Sequence, residues 1–249
     1  MRLKDRVAIV TGASRGIGKG IARAYAAEGA RVVVAARTDE PGRLPGTIHE
    51  TVAEIRDAGG QALAVKCDVS DDEQVRAMVK AAMDAYGRID VLVNNAAVTL
   101  RPLVKDTEPR HFQLILRVNL LGPLLTCKHV VPIMEAQRSG SIINVTSGAA
   151  GSRGGGLGGA SYAITKSGLN QLSMSLAEEV RASGIAVNSL DPGGVITEGA
   201  LATRPKDYDW SGRVSVAAVA PSAVALALKD ATTMTGQIVR REDYGKTWQ

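Results

Sequence analysis

Tyr162 and Lys166 stand four residues apart in the stretch Ala160-Ser161-Tyr162-Ala163-Ile164-Thr165-Lys166. Beyond them Leu169, Leu172, Leu176 and Val180 recur every three or four positions, the stripe that a core-facing helix requires. The pair therefore shares one helix face, where a lysine ammonium can draw a tyrosine pKa of about 10 towards neutrality by favouring the phenolate. A phenol tuned in this way can both give and take a proton at a substrate oxygen. By itself the spacing is a weak signal, because many solvated helices carry two such residues at i and i+4. What decides is whether other segments converge on the pair.

The first such segment is near the N-terminus. Val7-Ala8-Ile9-Val10 is an apolar run of the kind buried in a parallel sheet, and it ends at Thr11-Gly12-Ala13-Ser14-Arg15-Gly16-Ile17-Gly18. A helix with Ile21, Ala24, Tyr25 and Ala26 available for packing follows. In a strand, glycine turn and helix, the glycines admit a pyrophosphate close to the backbone, and the helix N-terminus offers it unpaired N–H groups. The plain alternative is a tight turn without a ligand. Residues 31–36 form a second strand, whose end is where such a fold reads the adenosine ribose; an acid there would favour NAD. This chain has Ala36-Arg37 instead, with Arg15 within reach, so the expected cofactor is NADP(H), with NAD(H) as the weaker alternative, because a guanidinium binds phosphate through two parallel hydrogen bonds. Two ordinary surface arginines are the competing reading. Residues 38–47, with two prolines and two glycines, form a loop that either folds over the adenosine end or is a tolerated insertion.

The remaining chain alternates in the same way. Helix 48–58 precedes strand 61–66, and Cys67-Asp68-Val69 lies at that strand's carboxyl end, where an Asp can accept from an adenine amino group. Asp71-Asp72-Glu73 caps a helix running to 86, and strand 90–93 delivers Asn94-Asn95-Ala96-Ala97. A long helix over 114–134 contains Asn119, which taken alone could be a satisfied polar residue. Strand 141–145 releases Thr146-Ser147, and a glycine-dense loop over 148–159 leads to the Tyr162 helix. Strand 185–190 ends at Asp191-Pro192-Gly193-Gly194-Val195-Ile196-Thr197, and 198–213, with Tyr208 and Trp210 but no clear period, is expected to be a substrate lid. A helix over 215–228 and a strand at 237–239 close the chain. The pattern predicts a single α/β domain over 1–249, doubly wound and Rossmann-type, with a mostly parallel seven-stranded sheet and helices on both faces.

Composition narrows the function classes. The net charge of +5 comes from scattered Lys and Arg without a dense run, which a solvated surface and an anionic cofactor explain, and no nucleic-acid partner is expected. His49, His111 and His129 lie far apart and no metal site is expected, while Cys67 and Cys127 in apolar surroundings suit a reducing cytoplasm. No apolar run is read as approaching the roughly 18 residues of a membrane span, and Met1 to Asp5 leads into a strand without a secretory segment.

In an open α/β sheet the ligand lies beyond the carboxyl ends of the strands, and Gly12, Arg37, Asp68, Asn95, Ser147 and Pro192 all fall at such ends. With that convergence the chain resembles the short-chain dehydrogenase/reductase family in its single-domain form. The resemblance covers about residues 5–240 and rests on the glycine turn, Asn94-Asn95-Ala96, Asn119, Ser147, Tyr162-x-x-x-Lys166 and Pro192-Gly193 in the family's order and spacing. It implies that Tyr162 exchanges a proton with the substrate oxygen and Ser147 hydrogen-bonds that oxygen. Lys166 would bind the nicotinamide ribose and support the tyrosine, and Asn119 would hold the water that links Lys166 to solvent. By the same resemblance Gly12, Ser14, Arg15 and Ile17 contact ribose and phosphates, Asp68 and Val69 the adenine, Asn95 and Ala96 the adenosine ribose, and Val195 and Thr197 the carboxamide, beside Pro192 and Gly193.

The implied activity is hydride transfer between NADP(H) and a small-molecule ketone or secondary alcohol, by a homodimer or homotetramer. Departures from the family pattern are Ala97 where glycine is common, a long Ser147 to Tyr162 interval containing Gly154-Gly155-Gly156, and Val239-Arg240-Arg241-Glu242-Asp243 in place of Val-Asp-Gly-Gly. The segment Leu44-Pro45-Gly46-Thr47-Ile48 is similar to the hydroxysteroid-dehydrogenase-like branch. Competing readings are a sugar-nucleotide epimerase or dehydratase, which resembles a longer form, and a non-catalytic nucleotide sensor, whose relatives typically lose the tyrosine or lysine.

Overall fold

The structure, a computed structural model, describes residues 1–151, 156 and 158–249. The middle of the glycine-dense loop, with Gly154 and Gly155, lies outside the described residues. In chain order the regular elements are β1 (Val7–Thr11), α1 (Gly16–Ala27), β2 (Arg31–Ala36), α2 (Ile48–Asp57), β3 (Gln61–Lys66), α3 (Asp72–Tyr86), β4 (Val91–Asn94), α4 (Pro109–Leu116), α5 (Gly122–Gln137), β5 (Gly140–Val145), α6 (Ala160–Val180), β6 (Ile185–Asp191), α7 (Glu198–Thr203), α8 (Ala220–Ala227) and β7 (Ile238–Arg240).

Among the described residues seven strands form one sheet in the order β3-β2-β1-β4-β5-β6-β7, every pair parallel. β1, β5 and β6 are buried along their whole length, as strands covered on both faces must be; β1 reads as an apolar run, while β5 and β6 also bury polar residues such as Asn144 and Ser189. Successive side chains feed two separate cores. Ala8, Val10, Val32, Val34, Val91 and Val93 join Ile21 and Tyr25 of α1 and Leu226 of α8 on one face. Ile9, Val33, Leu92 and Ile142 meet Met78 of α3, Val130 of α5 and Leu176 of α6 on the other.

Local chemistry fixes the helix ends. The Thr47 hydroxyl accepts from the Glu50 amide at 3.0 Å while Glu50 reaches back to the Thr47 amide, a capping box that starts α2. Asp71 caps α3, which stops at Gly87 in the left-handed region at φ 74°.

The helix expected over 114–134 extends further in both directions, from Pro109 to Gln137, because Pro109 is well placed in a first turn and the helix closes on Arg138 at φ 55°. It is also not uniform. Arg117–Leu121 is a π-helical turn, and Asn119 sits in it. This rod is 29 residues long and holds an 18-residue window with a mean hydropathy of 1.4, so it is long and apolar enough to cross a membrane, contrary to the sequence-based expectation. Its packing is that of a core helix, lodged between α3 and α6 against β4 and β5. Residues 198–213, expected to be irregular, begin with the short helix α7, and the segment ends in a bridge from Val214 back to Val195.

Candidate active site

The strand order reverses between β1 and β4, and at that switch point the carboxyl ends of two parallel strands diverge and leave a crevice. A cavity of about 720 Å³ opens there. Every site residue expected from the sequence lines it except Asn119, which lies fully buried behind its wall.

At one end, the first two turns of α6 bring Tyr162 and Lys166 together, with the lysine Nζ 5.6 Å from the centre of the tyrosine ring. Lys166 is buried and donates to the Val145 carbonyl at 2.7 Å, and desolvation drags its pKa from 10.5 down to about 8. Burial acts on Tyr162 in the opposite sense, raising the phenol above its usual 10; the neighbouring Ser147 and Thr99 hydroxyls pull it back down, Asp191 pushes it up, and Arg101 draws it down. The lysine's expected lowering of the phenol is therefore not the dominant effect in this structure, where burial is.

Ser147 stands two positions past the end of β5 and its Oγ accepts from the Ala149 amide at 3.2 Å, which holds the hydroxyl beside the cavity. Asn119 accepts from the Val98 amide at 2.8 Å and donates to the Val98 carbonyl at 2.9 Å and to Thr165 Oγ1 at 3.2 Å. It thereby ties the segment after β4 to the helix that carries the tyrosine.

The glycine turn forms the opposite end. Gly12 and Gly16 have φ of 65° and 57°, and α1 starts with no acidic residue in its first turn and no side-chain cap from Arg15. Backbone amides thus form the floor, a donor set that fits an anionic dinucleotide. Asn95 clamps the turn by donating to the Thr11 carbonyl at 2.9 Å and the Gly12 carbonyl at 3.2 Å, while its own amide donates to Thr11 Oγ1 at 3.0 Å. A Cβ on Gly12 would fall 2.8 Å from the Ala96 Cα, so the clamp requires glycine.

Arg15 and Arg37 separate in role. Arg15 donates from Nε to the Pro45 carbonyl at 2.8 Å and from Nη2 to the Gly46 carbonyl at 2.8 Å, strapping the 38–47 loop across the turn. Gly46 closes that strap: at φ 99° its Cβ would stand 2.5 Å from the Ser14 carbonyl oxygen. Leu44 consequently lines the cavity. Arg37 stays exposed at the end of β2 with its Nη1 3.8 Å from Asp68 Oδ2, and Asp68 Oδ1 is already engaged by the Ser70 amide and hydroxyl at 2.9 and 2.8 Å.

Several site neighbours were not singled out from the sequence. Asp191, buried at the end of β6, accepts from the Gly193 amide at 2.9 Å, and Arg241 donates to the Pro192 carbonyl at 2.9 Å. The atypical C-terminal segment thus braces the Pro192-Gly193 turn. Asp191 could have been found by the strand-end rule that found Ser147; Arg241 left no local signal. A buried polar chain supports the whole edge: Asn94 donates to Asn144 at 2.9 Å, Asn144 to Ser173 at 2.8 Å, and Ser189 to Ser173 at 2.8 Å.

A family model described as short chain dehydrogenase matches residues 6–208, the span that carries the cavity. The chain belongs to that family. A 3-oxoacyl-[acyl-carrier-protein] reductase of Synechocystis sp. is 39% identical over 196 residues, 79% of this chain and 76% of that protein. Hydroxysteroid dehydrogenase-like protein 2 of Danio rerio is 37% identical over 235 residues, 94% of this chain but 56% of that protein, so the chain spans just over half of that relative's length. A crystal structure of a metagenomic short-chain oxidoreductase in complex with NADP superposes with a TM-score of 0.80 at 33% identity, covering 96% of this chain and 99% of that one. As a short-chain dehydrogenase the chain is an oxidoreductase of the CH–OH/C=O class that binds a nicotinamide dinucleotide and a small-molecule substrate.

Proposed function

We propose that this protein transfers a hydride between NADP(H) and a ketone or secondary alcohol, with Tyr162 as the general acid and base. The observation that carries the reading is the meeting of Tyr162, Ser147 and Lys166 in one cavity whose far end is the glycine turn at the N-terminus of α1. When bound, the dinucleotide's nicotinamide supplies or accepts the hydride. In the reductive direction Tyr162 gives its phenolic proton to the carbonyl oxygen as charge grows there, and Ser147 donates a second hydrogen bond to the same oxygen. Lys166, held by Val145, supports the phenolate left behind. Asn119 positions α6 against the Val98 segment. In the oxidative direction the same groups take the proton back.

NADP is the preferred dinucleotide on this reading. Arg37 is the cation at the end of β2, and the similar metagenomic enzyme is a complex with NADP. Residues 198–213 act as the substrate lid of a single catalytic domain, 1–249. Leu121 and Leu124 of the long helix and Ile164 and Met174 of α6 are exposed apolar side chains, which supports association into a homodimer or homotetramer. Two free buried cysteines, their thiols pushed up to about 12 by burial, suit a cytoplasmic setting. The test is a panel of ketones and secondary alcohols followed by nicotinamide absorbance, with NADPH and NADH side by side. Turnover with any carbonyl, faster with NADPH, supports the proposal; dinucleotide binding without turnover across the panel favours a sensor instead.

A further inference from the structure

The first amide of α1 is met by a side chain from the far end of the sequence. Glu198 Oε2 accepts from the Gly16 N–H at 2.9 Å, across 182 positions. Gly16 opens α1, a helix with neither an acidic first turn nor a side-chain cap of its own, so Glu198 serves as its remote N-terminal anion. Close packing supports the contact: a Cβ on Gly16 would lie 3.4 Å from Thr197 Cβ, so the start of the 198–213 segment rests directly on the glycine turn. Thr197 fixes the aim of Glu198, because its Oγ1 accepts from the Ala200 amide at 3.1 Å and starts α7. Both Glu198 and Gly16 line the cavity.

A carboxylate seated there and the diphosphate of a dinucleotide want the same pole of the same helix. We propose that Glu198 is a positioning residue that latches the 198–213 segment to the glycine turn, and that dinucleotide binding displaces it, so that cofactor occupancy and release of the segment are one coupled event. By linkage the coupling runs both ways: the latch weakens dinucleotide binding by as much as the dinucleotide weakens the latch. The inference rests on the dinucleotide reading of the cavity.

The experiment measures the Kd of NADP+ by titration calorimetry for wild type, Glu198→Gln, Glu198→Ala and, as a control, Asp207→Asn, an exposed acid of the same segment. Hydrogen exchange over 198–203 is followed with and without NADP+. Removing one anion from a helix N-terminus should tighten NADP+ binding about fivefold in Glu198→Gln and at least as much in Glu198→Ala. The control should be unchanged. NADP+ should speed exchange over 198–203 in wild type but not in Glu198→Ala, where the segment is already released. Thermal melts establish that each variant is folded, and Glu198→Gln keeps an acceptor for Gly16, so loss of charge is separated from loss of the cap. A change under twofold in both Glu198 variants, or equal tightening in Asp207→Asn, overturns the latch. Failure of the wild type to bind NADP+ at all would instead remove the dinucleotide reading.

Discussion

Lys166 offers the sharpest quantitative prediction, because its burial should be measurable as a cost to the folded chain. Its pKa falls from 10.5 to about 8 through desolvation alone. The unfolded chain therefore binds the proton more tightly, and the wild type is destabilised by about 3 kcal/mol at pH 7. The sign follows from proton counting. Between about 8 and 10.5 the unfolded chain holds more protons than the folded one, so the penalty is complete below that window and disappears as pH rises through it. At pH 10 only about 1 kcal/mol remains.

Lys166→Met keeps the length and removes the titration. It also removes the donor to the Val145 carbonyl, a pH-independent loss of about 1–3 kcal/mol. At pH 7 the variant should thus be between equal to and about 2 kcal/mol more stable than wild type. Between pH 7 and pH 10 its advantage should fall by about 2 kcal/mol, since the hydrogen-bond loss cancels. Urea unfolding of both proteins at the two pH values reads this directly. A stability difference that stays constant from pH 7 to pH 10 would refute the claim that the ammonium is desolvated in the folded protein.

Three other substitutions report on the frame around the site. Arg37→Asp should shift the NADP to NAD ratio of kcat/KM by at least about tenfold towards NAD, since it puts a second carboxylate near Asp68 where a 2′-phosphate would bind; an unchanged ratio would clear Arg37 of that role. Asn144→Ala takes the acceptor from the Asn94 amide and a donor from Ser173 in the buried polar chain and should cost about 3 kcal/mol in chemical denaturation. Gly46→Ala combines a positive φ with a collision against the Ser14 carbonyl, so it should detach the 38–47 loop from Arg15 and speed proteolysis there while leaving the sheet's unfolding transition nearly in place.

The fold was legible because parallel strands covered on both faces leave largely apolar runs, and because glycines and acids mark the turns and helix starts between them. The cavity lining was legible for a related reason: residues that follow strands must gather at one edge of a parallel sheet. What the sequence hid were interactions that act across it. Asn119 is an unremarkable mid-helix residue by propensity, yet it occupies a π turn that lets its side chain pair with Val98. The 109–137 rod passes the length and hydropathy test for a span, and only its packing against two helices and the sheet identifies it as core. The turn places Arg15 on the cavity, and no local pattern shows that its guanidinium also holds the loop over residues 44–46. Glu198 meets Gly16 from 182 positions away, a pairing that no local pattern encodes. For the Tyr162 and Lys166 pair, spacing gave adjacency but not depth, and depth sets the direction in which each pKa moves.

The central claim is that the Tyr162 phenol moves the proton at the substrate oxygen, and replacing it with phenylalanine tests that most directly. Tyr162→Phe removes the hydroxyl and leaves the ring, so kcat/KM for whichever carbonyl the wild type reduces should fall by at least about a thousandfold, with the Kd for NADPH within about threefold of wild type. Turnover within tenfold of wild type, with cofactor still bound, would mean that the proton comes from another group and that the account of this site is wrong.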